Sequence, residues 1–190
     1  MSKRKGSRII GTVEIEARDK DTGELRYRTQ GRNLVVTRGK EFVAETLKAT
    51  TGYSVGLTYC AIGTGTTAPA LADTQLQTEA ARKAVSSRST ASNILTVSTY
   101  FTAAESTYNI KEVGVFGHTD ATATANSGKL FARALLSYDN SGGTNNLTIN
   151  WVRRTRTGGS WKDNVDVSLG EASEQYAVDI TNEVTRVASM

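Results

Sequence analysis

Short stretches of alternating apolar and polar residues recur from Ile9 to Val152, and they limit this chain to a β-rich fold. The first is the clearest. Ile9, Val13, Ile15 and Ala17 share one face, while Thr12, Glu14 and Glu16 share the other. A period of two marks a strand with one face in a core and one in water. Asp21-Thr22-Gly23 supplies a turn, after which Leu25, Tyr27 and Thr29 continue the alternation, so the pair predicts a hairpin. Its polar face carries Glu14, Glu16, Arg26 and Arg28, which predicts cross-strand ion pairs.

Further strands are predicted over 57–62, 82–88, 94–102, 108–116, 130–137 and 147–153, joined by linkers rich in Gly, Asn, Ser and Thr. The stretch 130–137 is apolar on both faces apart from Arg133, the pattern of an inner strand. One helix is predicted. Thr37 is a suitable N-cap, and over 40–48 Phe42, Val43 and Leu47 fall on one side. Regularly spaced short strands predict an all-β sandwich or jelly roll with one short helix and extended N- and C-terminal arms. The expected organisation is an arm and hairpin over 1–32, a sandwich core over 33–155 and a C-terminal extension over 156–190.

Composition removes several function classes. No apolar run approaches the length of a membrane-spanning helix, and no apolar stretch follows the basic start Lys3-Arg4-Lys5, so no membrane partner and no secretory signal are expected. A single cysteine, Cys60, permits no intramolecular disulfide, and its apolar neighbours predict a small core residue. The formal net charge is +4, and Lys3, Arg4, Lys5 and Arg8 concentrate positive charge at the start. That cluster suits an arm that binds nucleic acid or an acidic surface, or a solvated terminus. Arg153-Arg154-Thr155-Arg156 reads as a strand edge kept soluble by charge at least as well as a nucleic-acid contact.

The stretch Gly63-Thr64-Gly65-Thr66-Thr67 invites comparison with a phosphate cradle. A P-loop needs Lys-Ser/Thr after its glycines, and a dinucleotide fold needs a helix there. Ala68-Pro69 follows instead, so a tight strand exit is expected and no cofactor is. His118 is the only histidine and Asp120 its nearest acid, which is too few ligands for a transition-metal site or a Ser/His triad. Paired glycosidase carboxylates cannot be assigned among Glu105, Glu112 and Asp120. Glu112 stands out because it interrupts an apolar strand, as Arg82 and Arg133 interrupt theirs. A structural ion pair of Glu112 with Arg82 or Arg133 is expected, or else three solvent-facing charges. No catalytic residue is assigned. The sequon Asn146-Leu147-Thr148 carries no weight without a secretory signal.

Several of these pieces, taken in order, resemble a known module. Asn33-Leu34-Val35 followed by Gly39 is similar to an "NLV…G" opening, and Ala61 to Pro69 resembles the signature "AIGTGTTAP". Asp73-Thr74-Gln75-Leu76, Glu79 and Arg82-Lys83 follow in place. Glu112-Val113-Gly114-Val115-Phe116 and Ala132-Arg133-Ala134-Leu135 resemble its "E-x-G-[LV]-F" and "ARAL" strands. The module is a bacteriophage virion structural type, found in tail-fibre-like and capsid decoration proteins, and the resemblance spans about 33–152.

The resemblance implies a β-sandwich that assembles on a particle without catalysis. No repetitive fibre shaft follows the module in this sequence, which favours a decoration, or cement, protein. Such a protein would be a homo-oligomer, a trimer by preference, bound to the major capsid protein in a virion assembled in the host cytoplasm. The expected partner-binding residues are Lys3, Arg4, Lys5 and Arg8 in the arm and Tyr176, Val178 and Ile180 in the tail. The alternative is a tail fibre, baseplate or neck component. A third possibility is a carbohydrate-binding or hydrolytic sandwich domain, with Tyr53, Tyr59, Tyr100, Tyr108, Trp151 or Trp161 as stacking platforms. Nucleic acid is not an expected partner.

Overall fold

The structure is a computed structural model, and it describes residues 11–48, 56–91 and 94–154. The sequence alternation becomes nine strands: β1 (Gly11–Asp19), β2 (Leu25–Val35), β3 (Leu57–Gly63), β4 (Glu79–Ala84), β5 (Ser87–Ala91), β6 (Ile94–Phe101), β7 (Asn109–Gly117), β8 (Lys129–Asp139) and β9 (Asn145–Arg154). One α-helix, α1 (Thr37–Lys48), and a short 3₁₀ turn at Ala103–Glu105 complete the described elements. The fold is all-β. Every pairing is antiparallel, in the order β4-β3-β7-β8-β2-β1-β9-β6-β5.

That order forces the sheet to curl. β4 and β5 are its two edges, yet only Val85-Ser86 separates them in sequence. The Val85 amide donates to the Thr58 carbonyl beside β4, at 2.8 Å. The very next amide, Ser86, donates to the Ser98 carbonyl beside β5, at 2.9 Å. Consecutive residues thus bond to opposite halves of the sheet, and the halves face each other across one core. The single polar strand expected over 82–88 is therefore two strands, one in each layer.

Residues of alternating parity fill the interior. Val13, Ile15, Val97, Phe101, Leu147 and Ile149 come from one layer; Cys60, Ile62, Val113, Val115 and Ala132 come from the other. All are at most 1% exposed. Burial at about 25 cal/mol per Å² makes each larger side chain worth roughly 1.5–3 kcal/mol. β1 lies centrally, between β2 and β9, so the N-terminal hairpin shares its core with strands from 33–155. The hairpin turn is held by Asp19, whose Oδ1 accepts the Asp21 and Thr22 amides, both at 3.0 Å. Across its polar face Arg28 pairs with Glu16 and Glu14, and Arg26 with Asp19 and Glu24. Close to the turn, Tyr27 stacks on Tyr138 of β8 at 4.9 Å.

Helix α1 begins at Thr37, earlier than the 40–48 pattern suggests. It packs on β8: Phe42 meets Phe131 edge-to-face at 6.2 Å. Gly39 permits the approach, because a Cβ there would overlap the Phe131 carbonyl. A second, smaller apolar cluster of Val36, Ala61, Leu76, Phe116 and Leu130 lies apart from the main core, with Ala61 and Phe116 on the outward-facing parity of β3 and β7.

Candidate functional site

Among the described residues, buried charge is concentrated on the outer face of β3, β7 and β8. Gly63 of β3 lies opposite Glu112 of β7, and Gly114, two residues on, lies opposite Arg133 of β8. The register therefore puts Glu112 and Arg133 diagonally adjacent and both outward. Neither reaches solvent: Glu112 is 0% exposed and Arg133 2%. The cover is the loop from Thr64 to Thr78, which carries the Thr64-Gly65-Thr66-Thr67-Ala68-Pro69 stretch.

The loop is organised around one carboxylate. Glu112 Oε1 accepts the amides of Gly65 at 3.1 Å and Thr78 at 2.7 Å. Oε2 accepts the Gln77 amide at 3.1 Å and the Arg133 Nε–H at 2.7 Å. Four donors thus occupy the roughly four acceptor positions a carboxylate offers. Arg133 reaches onward: Nη1 donates to Asp73 Oδ2 and Nη2 to the Thr67 carbonyl, each at 2.7 Å. Asp73 Oδ2 also accepts the Ala70 amide at 2.9 Å, which folds the loop tip.

Backbone contacts complete the loop. Thr64 N–H donates to the Thr78 carbonyl at its base, and Thr67 N–H to the Gln77 side chain across it. The Thr37 amide donates to the Leu71 carbonyl and ties the tip to the start of α1. Leu76, 1% exposed, turns inward over Gly114, where a Cβ would press on it at 2.7 Å. The glycines have a steric reason: a Cβ on Gly63 or Gly65 would collide with Glu112. The expected tight strand exit is in fact the start of a compact Ω-shaped loop.

Of the two ion pairs considered for Glu112, Arg133 is the partner. Arg82 binds Glu79 instead, through Nε at 2.7 Å and Nη2 at 2.8 Å, with both side chains 2% exposed. A bulge explains the pairing. Ala81 faces Ile62 and Glu79 faces Gly63, so Ala80 is an extra residue that turns Glu79 onto the face of Arg82. Arg82 also covers the Phe116 ring at 3.9 Å and donates to the Ser127 carbonyl at 2.7 Å. Asp73 and Glu79 carry no signal in the sequence as charge partners, nor Gln77 as a hydrogen-bond partner, because their roles depend on the path of the loop and the bulge.

Chemically, this arrangement positions backbone. The Glu112 carboxylate accepts four hydrogen bonds and the Arg133 guanidinium is held on three partners, so both side chains are committed to fixing the loop. The exposed residues of the loop include its crest, Thr66, Thr67, Ala68, Ala70 and Leu71, the last 45% exposed.

Other sequence candidates lie apart. His118 shares a hydrogen bond with Asp120 through Nδ1 at 2.5 Å, and its Nε2 stands 3.9 Å from Glu45, which binds Lys129. Burial works against the Asp120 carboxylate, but the His118 hydrogen bond, a backbone hydrogen bond and the charges of His118 and Lys129 together outweigh it and hold the pKa below the usual range. Cys60 is fully buried, with the Trp151 indole N–H donating to Sγ at 3.4 Å. Burial pushes its thiol up to about 12, which suits a core residue and not a nucleophile. Glu105 binds Lys83 at 2.5 Å and accepts the Thr102 amide, and these hold its carboxyl down at about 2.

Trp151 is buried, Tyr59 and Tyr108 are half-buried and Tyr100 is exposed; Tyr53 and Trp161 fall outside the described residues. Lys3, Arg4, Lys5, Arg8, Tyr176, Val178 and Ile180 also lie outside the described residues. Among the described residues no group of His, Cys, Asp and Glu is placed to hold a metal ion.

Comparison with protein-family models, curated proteins and solved structures finds no match for this chain.

Proposed function

We propose that this chain is a non-enzymatic structural protein of a bacteriophage virion, and specifically a decoration protein that stabilises the capsid shell. One observation supports the reading above the others. The stretch that most resembles the virion module, Ala61 to Pro69, owes its glycines to a loop held by the buried Glu112–Arg133 pair. A rigid crest on a stable β scaffold is suited to contact, since loops fixed by a scaffold carry recognition. In this proposal the copies form a trimer on the major capsid protein, with the arm residues Lys3, Arg4, Lys5 and Arg8 and the tail residues Tyr176, Val178 and Ile180 reaching neighbours.

Copy number tests the proposal. Quantitative mass spectrometry of purified particles should find this chain on the order of hundreds of copies, the stoichiometry of symmetric shell assembly. A few copies would move it to a fibre, baseplate or neck. Absence from particles would overturn the virion reading altogether.

A further inference from the structure

The layer β2-β1-β9-β6-β5 has an outward face with its own organisation. Val13, Ile15, Val97, Thr99, Leu147 and Ile149 are buried in the core, so the residues between them point outward. The strand register aligns these outward residues in rows across the sheet. One row runs Arg28, Glu16, Thr148, Tyr100, and the next includes Glu14, Asn150 and Ser98. At about 4.8 Å between strands, Tyr100 and Glu16 stand roughly 10 Å apart. Tyr100 is 42% exposed, while Glu14, Glu16, Ser98, Thr148 and Asn150 are half-buried. β5 starts at Ser87, opposite Ser98, so no β5 residue stands opposite Tyr100, and the tyrosine ends its row.

Several properties distinguish this face from a surface made only for water. Its polar groups are tied to one another: the Ser98 hydroxyl donates to Asn150 Oδ1 at 2.7 Å, and Asn150 Nδ2 donates to Glu14 at 3.5 Å. Arg28 pairs with Glu14 and Glu16, and Arg18 pairs with Glu16, so the carboxylates here are balanced by guanidiniums. β1, β5, β6 and β9 contain no lysine, a side chain that loses much rotamer freedom on being ordered. Short Ser, Thr and Asn side chains, already held, have little freedom left to lose when a ligand binds. A tyrosine ring adds rigid apolar area at low entropic cost.

We propose that this face binds a neutral oligosaccharide. One side of a sugar ring is built of C–H groups and stacks on Tyr100. The hydroxyls at the ring's rim both donate and accept, so they match the Thr148 hydroxyl and the Asn150 amide beside the tyrosine. Sugars further along the row reach the Glu16 carboxylate, which accepts from their hydroxyls. The balance of carboxylates and guanidiniums gives the face no attraction for an acidic polymer. Nothing in this binding depends on the virion reading, because it rests on the geometry of one sheet face.

Saturation-transfer NMR of the full chain with neutral trisaccharides of glucose, mannose, galactose and N-acetylglucosamine tests it. At least one is expected to bind with a Kd of about 1 mM or tighter. Tyr100→Ala should weaken that binding about tenfold or more, whereas Tyr100→Phe, which keeps the ring, should stay within about twofold. Asn150→Ala should weaken it about fivefold through the lost hydrogen bonds. A titration of the unaltered protein covers the case in which a variant does not fold. The Tyr100 ring resonances should shift as sugar is added, and those of Tyr27, stacked on Tyr138, should not. No binding of any of these trisaccharides at about 10 mM would overturn the proposal. So would unchanged binding by a folded Tyr100→Ala, unmoved Tyr100 resonances, or tighter binding of a sialylated trisaccharide.

Discussion

Replacing Glu112 by Gln tests the central claim that one carboxylate organises the loop from Thr64 to Thr78. The change keeps size and shape and alters only charge and hydrogen bonding. Glu112 takes two donors on each oxygen: the Gly65 and Thr78 amides on Oε1, and the Gln77 amide and Arg133 Nε–H on Oε2. The amide of Gln retains one of these oxygens. Its NH₂ must face the other two donors, so two buried donors lose their acceptor at about 1–3 kcal/mol each. Arg133 also loses its buried counter-charge and keeps Asp73, a partner 23% exposed. Breaking a buried pair from one side typically costs about 3–5 kcal/mol, and because these losses overlap the expected total is about 4 kcal/mol.

That is a large share of the 5–15 kcal/mol by which domains of this kind are stable. Urea unfolding followed by circular dichroism reads it directly. With a slope of about 2 kcal/mol per molar, the midpoint should fall by about 2 M. Gln at the half-exposed Glu105, which binds Lys83 at the surface, is the control and should cost no more than about 1 kcal/mol. A Glu112→Gln loss no larger than the control's would refute the reasoning, since it would mean the loop holds its shape without the buried charge.

Three further outcomes are expected. Gly65→Ala places a Cβ against Glu112 Oε1 and should destabilise by about 1–3 kcal/mol in the same urea assay, whereas Gly142→Ala, where the nearest atom is a Thr144 methyl at 3.8 Å, should be near neutral. Cys60 should resist thiol reagents at neutral pH until the protein unfolds, because burial holds its pKa at about 12; rapid labelling of the native protein would contradict this. Glu105, with a folded pKa of about 2 against an ordinary 4.5, should add stability above pH 4.5 and lose it as pH falls toward 2; Lys83→Met should raise that pKa in an NMR titration.

The sequence discloses what is local in this fold. Alternation along a strand depends only on neighbours, and it places β3, β6, β7, β8 and β9 to within a few residues. Glu112 and Arg133 are conspicuous because a charge in an apolar run needs a partner. Choosing Arg133 over Arg82 requires the register of β7 on β8 and the bulge at Ala80, neither of which leaves a mark on single residues. The division between β4 and β5 is hidden for a related reason. Val85-Ser86 contains no glycine or proline, and the break there comes from the curl of the whole sheet. The loop's use of Asp73 and Gln77 is likewise settled by three-dimensional path.

The central place of β1 bears on how this protein reaches its fold. Glu14 lies opposite Asn150, so the first described strand cannot complete its pairing until almost all of the described chain exists. On a ribosome the hairpin of β1 and β2 would emerge early and wait with one flank unpaired until β9 follows. Such long-range closure slows folding and extends the time an unpaired strand is exposed to other nascent chains. A protein produced in quantity would then gain from rapid release of the whole chain, and translational pausing before residue 154 should lower its soluble yield.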